Sequence, residues 1–147
     1  TVEIAEVTFL QFSATRDESF SLEPTTVEFK YRTRVRAETA NEPCIVVLAD
    51  FLMEARPEEG DAPKPCCEIC AQLSLTYKTP KAGEFSQEHL DAFGRMNGIY
   101  NAWPYWREFV QSSSNRMGLP ALVVPSLKVG ANANNKPDNQ AVASNPT

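Results

Sequence analysis

The side chains of this chain best suited to metal or redox chemistry are its four cysteines and its single histidine. Cys66, Cys67 and Cys70 sit together, Cys44 stands apart, and the histidine is His89. A Cys-x-x-Cys pair is the spacing of a zinc half-site or a redox couple. The surrounding letters describe something else. Between Pro65 and Lys78, residues Cys67, Ile69, Ala71, Leu73, Leu75 and Tyr77 take one face of a period-two pattern. Glu68, Gln72, Ser74, Thr76 and Lys78 take the other, which is the mark of a half-buried strand. On such a strand Cys67 and Cys70 point to opposite faces, with Cα atoms about 10 Å apart at roughly 3.3 Å per residue. A disulfide needs less than about 7 Å. Zinc usually takes a second ligand pair, and His89 supplies only one further candidate. The cysteines therefore read as reduced, small hydrophobic residues, with no metal site and no cofactor expected.

Catalytic patterns are equally sparse. One histidine removes most acid–base and metal-hydrolase schemes, and no G-x-S-x-G, H-E-x-x-H or P-loop occurs. Carboxylates are plentiful, but none forms a recognisable acid–base constellation, so a non-enzyme is expected. Two other features carry the functional question. The first is the stripe Lys30, Arg32, Arg34 and Arg36, four cations at every second residue. Such a stripe could track an acidic partner. It equally fits a solvated strand face with acidic side chains from neighbouring strands opposite. The second is the aromatic cluster Trp103, Tyr105, Trp106 and Phe109, which is more than a short surface helix needs. Core packing accounts for part of it, and an apolar groove that receives extended peptide would account for the rest.

These residues must be positioned by a recognisable series of elements. Residues 3–12 alternate loosely through Ile4, Val7, Phe9 and Phe12, and Phe20 and Leu22 form a short apolar pair before Pro24. Residues 26–38 alternate sharply, with Val27, Phe29, Tyr31, Thr33 and Val35 opposite the basic stripe. Residues 44–56 form a β-rich run with Asp50 mid-way, which suits an inner strand. Pro57 to Asp61 has turn composition and joins this run to the cysteine strand as an antiparallel hairpin. Ser86 is an N-cap candidate, followed by Leu90, Phe93, Met96 and Tyr100 at helical spacing to about Asn101. Pro104 places a break near Asn101–Trp103 and starts a second helix, whose apolar stripe is Trp103, Trp106, Phe109, Val110 and Met117. Gly118 suits the C′ position. Leu119 to Val129 reads as an extended apolar segment lying on the core, and residues 130–147 as a polar, disordered tail.

Strands segregated from helices give an α+β fold: a four-stranded antiparallel sheet followed by two helices packed on it, in one domain over residues 1–129. The 147 residues fit one domain, and at 42% hydrophobic the chain is too apolar to be disordered throughout. It has no apolar run of the roughly 18 residues a membrane helix needs. No basic n-region followed by an apolar h-region opens it, and its first residue is Thr1 rather than Met. The net charge of −5 argues against nucleic acid or an anionic membrane as a partner. That acid is uneven, at net −7 over residues 1–62 and net +2 over residues 63–147.

Two stretches point further. Pro104, Tyr105, Arg107 and Glu108, followed by Pro120, Leu122 and Pro125 after the Gly118 turn, resemble the helix start and the proline-bounded tail of SecB-type export chaperones. Cys66-Cys67-Glu68-Ile69 is similar to that family's Leu-Cys-Glu-Val strand, and the element order agrees along roughly residues 2–129. The resemblance implies a bacterial, cytoplasmic, ATP-independent holdase, built as a homotetrameric dimer of dimers. It would hold unfolded preproteins in an apolar groove and deliver them to the SecA motor. It implies client contacts at Trp103, Tyr105, Trp106 and Phe109, and an interface between dimers at Leu90, Phe93 and Met96. It also implies partner contacts on the sheet face at Glu68, to which this chain's own basic stripe adds Arg32 and Arg34 as candidate partner contacts. The basic second strand, and a tail whose one base is Lys136, fit an alternative: a SecB-fold interaction module, or a dedicated chaperone for one partner such as an antitoxin, without SecA delivery.

Overall fold

A computed structural model describes residues 2–18, 25–58, 65–119, 124, 127 and 139–144. The elements are β1 (Glu3–Arg16), β2 (Thr25–Glu38), β3 (Cys44–Pro57), β4 (Cys67–Lys78), α1 (Gln87–Phe93), α2 (Ile99–Arg116) and β5 (Asn139–Ser144). The strands form one antiparallel sheet in the order β1-β4-β3-β2-β5. The expected four-stranded unit and the β3–β4 pairing are present. β1 and β2, consecutive in the chain, lie on opposite sides of that unit. Of the segment expected to be disordered, six residues pair with β2 as β5, an addition its composition did not signal. The Phe20–Leu22 pair lies outside the described residues.

The alternation explains the layers. On β3 and β4 every second residue is buried, from Ile45 to Ala55 and from Cys67 to Tyr77. These side chains, with Val27 and Phe29 of β2, make the sheet face on which the helices pack. The loose alternation of β1 has a geometric cause. Its register to β4 slips between Ile4 and Glu6 and again between Phe9 and Gln11. Each slip inserts one extra residue. Ile4, Val7, Phe9 and Phe12, at spacings of three, two and three, therefore all stand opposite core-facing residues of β4, from Tyr77 to Ala71.

The two helices meet without a break at Pro104. Ser86 caps α1 by accepting a hydrogen bond from the His89 N–H. α1 runs into a wide turn of π-helix at Gly94–Gly98 and then directly into α2. The irregularity expected near 101–103 thus falls a few residues earlier. Pro104 sits inside α2. It withholds an N–H from the Tyr100 carbonyl, but Pro104 and Tyr100 are both exposed, so water can satisfy that oxygen. The π turn lies on the sheet at two glycines. A Cβ on Gly94 would collide with Val35, and one on Gly98 would stand 2.7 Å from a Val47 methyl. α2 ends as expected at Gly118, whose φ is +66°. The Leu119 N–H reaches back to the Ser114 carbonyl and the Gly118 N–H to the Asn115 carbonyl, closing a Schellman motif. Arg16 of β1 donates to the Met117 carbonyl at 2.5 Å, tying this end to the sheet. Leu119 and Val124 are buried and Leu127 packs on the core; the rest of the expected apolar segment lies outside the described residues.

One polar link crosses the core. The Tyr77 hydroxyl accepts from the Asn101 amide at 2.8 Å and donates to the Asn97 carbonyl at 3.3 Å. Tyr77→Phe removes the partner of the half-buried Asn101 amide, so unfolding stability is expected to fall by about 1 kcal/mol in a urea titration.

Candidate functional site: an aromatic strip beside the second helix

α2 places its aromatic residues by period. Trp103 and Trp106 share the sheet-facing stripe with Ile99, Ala102 and Val110. Trp106 is 1% exposed and stacks on Phe51 at 5.2 Å, and Trp103 packs edge-on against Tyr31 and Phe51. Both tryptophans therefore belong to the core rather than to an open groove. Tyr105 and Phe109, one turn apart, lie on the flank that faces β1. Phe109 is half-buried, with its ring 5.7 Å from Phe9 and 5.4 Å from Phe12. Tyr105 is 47% exposed and Phe12 65%. Ile4 and Leu10 of β1 are exposed as well. The result is an open apolar strip along the β1 side of α2, with Phe9, Phe12 and Phe109 in mutual ring contact.

Of the four aromatic residues picked from the sequence, two thus line the strip and two support it from below. Phe9 and Phe12 were visible as strand residues but not as site residues. Their three-residue spacing, which two large rings on one face of a strand take only across a bulge, is the signal that would have found them.

The residues expected at a helix interface separate in the same way. Leu90 is buried in the core, and Phe93 packs edge-on against Tyr77 at 4.7 Å. Both serve the subunit's own packing. Met96, 62% exposed, and Tyr100 four residues on remain on the open side of the helix.

The opposite sheet face is polar and largely self-paired. Asp50 accepts from Arg32 at 3.1 Å and from the Gln72 amide at 2.8 Å, and stands 4.0 Å from Arg34. Arg36 pairs with Glu38, and Lys30 with Glu28. Acid from the same and the neighbouring strand therefore faces the basic stripe, as one of its two readings requires. Glu68 stands beside Glu54 in the β3–β4 register, accepts a weak hydrogen bond from the Cys70 thiol, and Glu54 is tied to Arg56.

Cys67 is buried in the core while Cys70, paired with Glu68 two residues back, lies on the polar face. All four thiols are free, and burial pushes each of them up. Burial raises Cys67 furthest, from 9.0 to about 11. At mildly alkaline pH iodoacetamide is expected to modify Cys66 and Cys70 well before Cys67, as peptide mass mapping would show. The unfolded chain ionises Cys67 near 9.0 and the folded chain only near 11. Its contribution to stability is therefore complete below pH 9 and is lost as pH rises through 11.

No family model matches the sequence, and no curated protein matches it. Among solved structures the chain superposes on a SecB-like chaperone of Mycobacterium tuberculosis in complex with a ChAD peptide from an antitoxin. The TM-score is 0.72 at 18% identity, over 88% of this chain and 93% of that one. No helix among the described residues is long and apolar enough to cross a membrane. With the same sheet and helix arrangement over most of both chains, this protein has a SecB-like α+β fold.

Proposed function

We propose that the protein is an ATP-independent chaperone that captures an extended, apolar segment of one dedicated partner. The observation that carries this reading is the apolar strip of Phe9, Phe12, Tyr105 and Phe109, in which Phe12 and Tyr105 are exposed and Phe9 and Phe109 half-buried. Exposed aromatic rings in contact, on an edge strand, are an aggregation liability unless a partner covers them. An unfolded polypeptide is such a partner, and several weak apolar contacts along it sum to useful affinity. The similar mycobacterial structure carries a peptide from an antitoxin, which supports a dedicated client over a general one. The test has two arms. Purified protein at several-fold excess should suppress aggregation of a chemically denatured client. Affinity capture from the native host should return one dominant small partner. No suppression together with no partner would overturn the reading.

Delivery to an export motor is the second reading. It is favoured by the register that aligns Glu28, Glu54 and Glu68 across three strands of the polar face. Recovery of SecA with several preproteins in the same capture would support it. Assembly into a dimer of dimers would draw on Met96 and Tyr100, the exposed apolar pair of the helix. Met96→Asp is then expected to lower the mass measured by light scattering, with thermal unfolding little changed.

A further inference from the structure

The two long edges of β2 are covered very differently. One is paired with β3 along all fourteen residues. The other is shared. Toward Glu38 it is closed by the helical layer, where Gln87 donates to the Val35 carbonyl at 3.1 Å and Gly94 lies on Thr33 and Val35. Toward Thr25, among the described residues, it is closed by β5, which pairs with Thr26–Tyr31.

Occupant and acceptor are mismatched. The acceptor segment carries Val27, Phe29 and Tyr31, side chains with high β-propensity. Opposite these, β5 places Ala143, Ala141 and Asn139. Its six residues include one β-branched side chain, Val142, and no aromatic. A six-residue edge strand of weak strand formers is marginal by itself. A polypeptide offering larger side chains in the same register would pair better.

The chemistry of that polypeptide can also be read. Positions opposite Glu28 and Lys30 favour a base and an acid, respectively. Where β5 stops, at Tyr31, a cavity of about 350 Å³ begins, lined by Arg32, Arg34, Arg95, Gln87 and Asp91 among others. Arg95 makes no ion pair among the described residues. Because the pairing is antiparallel, the residues preceding an incoming strand enter this cavity, and its cationic walls suit carboxylates there.

We propose that the Thr26–Tyr31 edge of β2 is an acceptor site for an extended partner strand preceded by acidic residues, and that Asn139–Ser144 holds it as a replaceable occupant. This deepens the chaperone reading by adding a second contact surface, one that does not use the aromatic strip.

The test uses the full chain and a fluorescein-labelled peptide, Asp-Glu-Val-Glu-Val-Lys-Val-Thr, with a scrambled control. Substituting Ala141→Pro and Val142→Pro removes two of the six main-chain N–H groups of β5, one of which faces β2. Displacing an intramolecular competitor should tighten peptide binding by about three- to tenfold, read by anisotropy. Hydrogen exchange at Thr26–Tyr31 should quicken in the variant and slow again on adding peptide. Arg34→Glu with Arg95→Glu should weaken binding, and the scrambled peptide should bind poorly. Equal affinity for both chains overturns the proposal, as does peptide-induced protection on β1. Self-association of the variant without peptide binding also overturns it, because β5 would then only guard the edge against aggregation. Phe12→Ser with Tyr105→Ser should leave this peptide's affinity unchanged, so a failure here is distinguishable from a failure of the aromatic-strip reading.

Discussion

Gly94→Ala and Gly98→Ala are each expected to destabilise the protein by about 1–3 kcal/mol, as overpacking of a fitted core does. The sign is the informative part. At an ordinary helix-interior position, glycine to alanine gains up to about 1 kcal/mol. Here the new methyl group meets Val35 of β2 or Val47 of β3, which pair with each other, and β3 is held by a strand on either side. The π turn presses its backbone onto the sheet because these two positions carry no side chain. Thermal unfolding should shift down by about 2–4 °C per kcal/mol for a domain of this size. Gly83→Ala provides the contrast. Its Cβ would approach the end of the exposed Thr39 side chain at 3.1 Å, which can move aside at little cost. A stabilising effect at Gly94 or Gly98 would mean that the helical layer stands off the sheet.

The second large effect concerns binding. Phe12→Ser together with Tyr105→Ser is expected to weaken capture of an unfolded client by tenfold or more. Aromatic anchors at interfaces commonly contribute above about 1 kcal/mol each, and about 1.4 kcal/mol is a factor of ten in affinity. Stability should change little, because Phe12 and Tyr105 are both exposed at the surface. Trp106→Ala gives the opposite profile. It removes a fully buried ring stacked on Phe51 and should cost about 3–5 kcal/mol of stability. The two variants, compared by urea unfolding and by fluorescence titration with client, separate the site from its support.

That division was only partly legible in the sequence. The period-two letters of β2, β3 and β4 fixed both the strands and their buried faces, because a sheet covered on one side enforces strict alternation. The Gly118 stop was legible because a left-handed C′ residue has few substitutes. Pro104 misled for a physical reason. Proline is expelled from a helix when the freed carbonyl is buried, and here Pro104 and Tyr100 are both exposed. The tryptophans misled because aromatic richness says nothing of direction. Only their phase relative to Ile99 and Val110 reveals that Trp103 and Trp106 face the sheet. The strip itself is formed across two elements some ninety residues apart, and its β1 half depends on two bulges that no local propensity signals. β5 was invisible for a related reason: its residues are weak strand formers, and β2 supplies the pattern it lacks.

The most direct test of the central claim is site-specific photo-crosslinking. A photoreactive amino acid is placed singly at Phe12, Tyr105 and Glu68, and each protein is irradiated with a denatured client. Strong crosslinks from Phe12 and Tyr105, with only background from Glu68, are the result expected if the client lies in the aromatic strip. Crosslinks from Glu68 without any from Phe12 or Tyr105 would contradict it and move client binding to the polar face of the sheet.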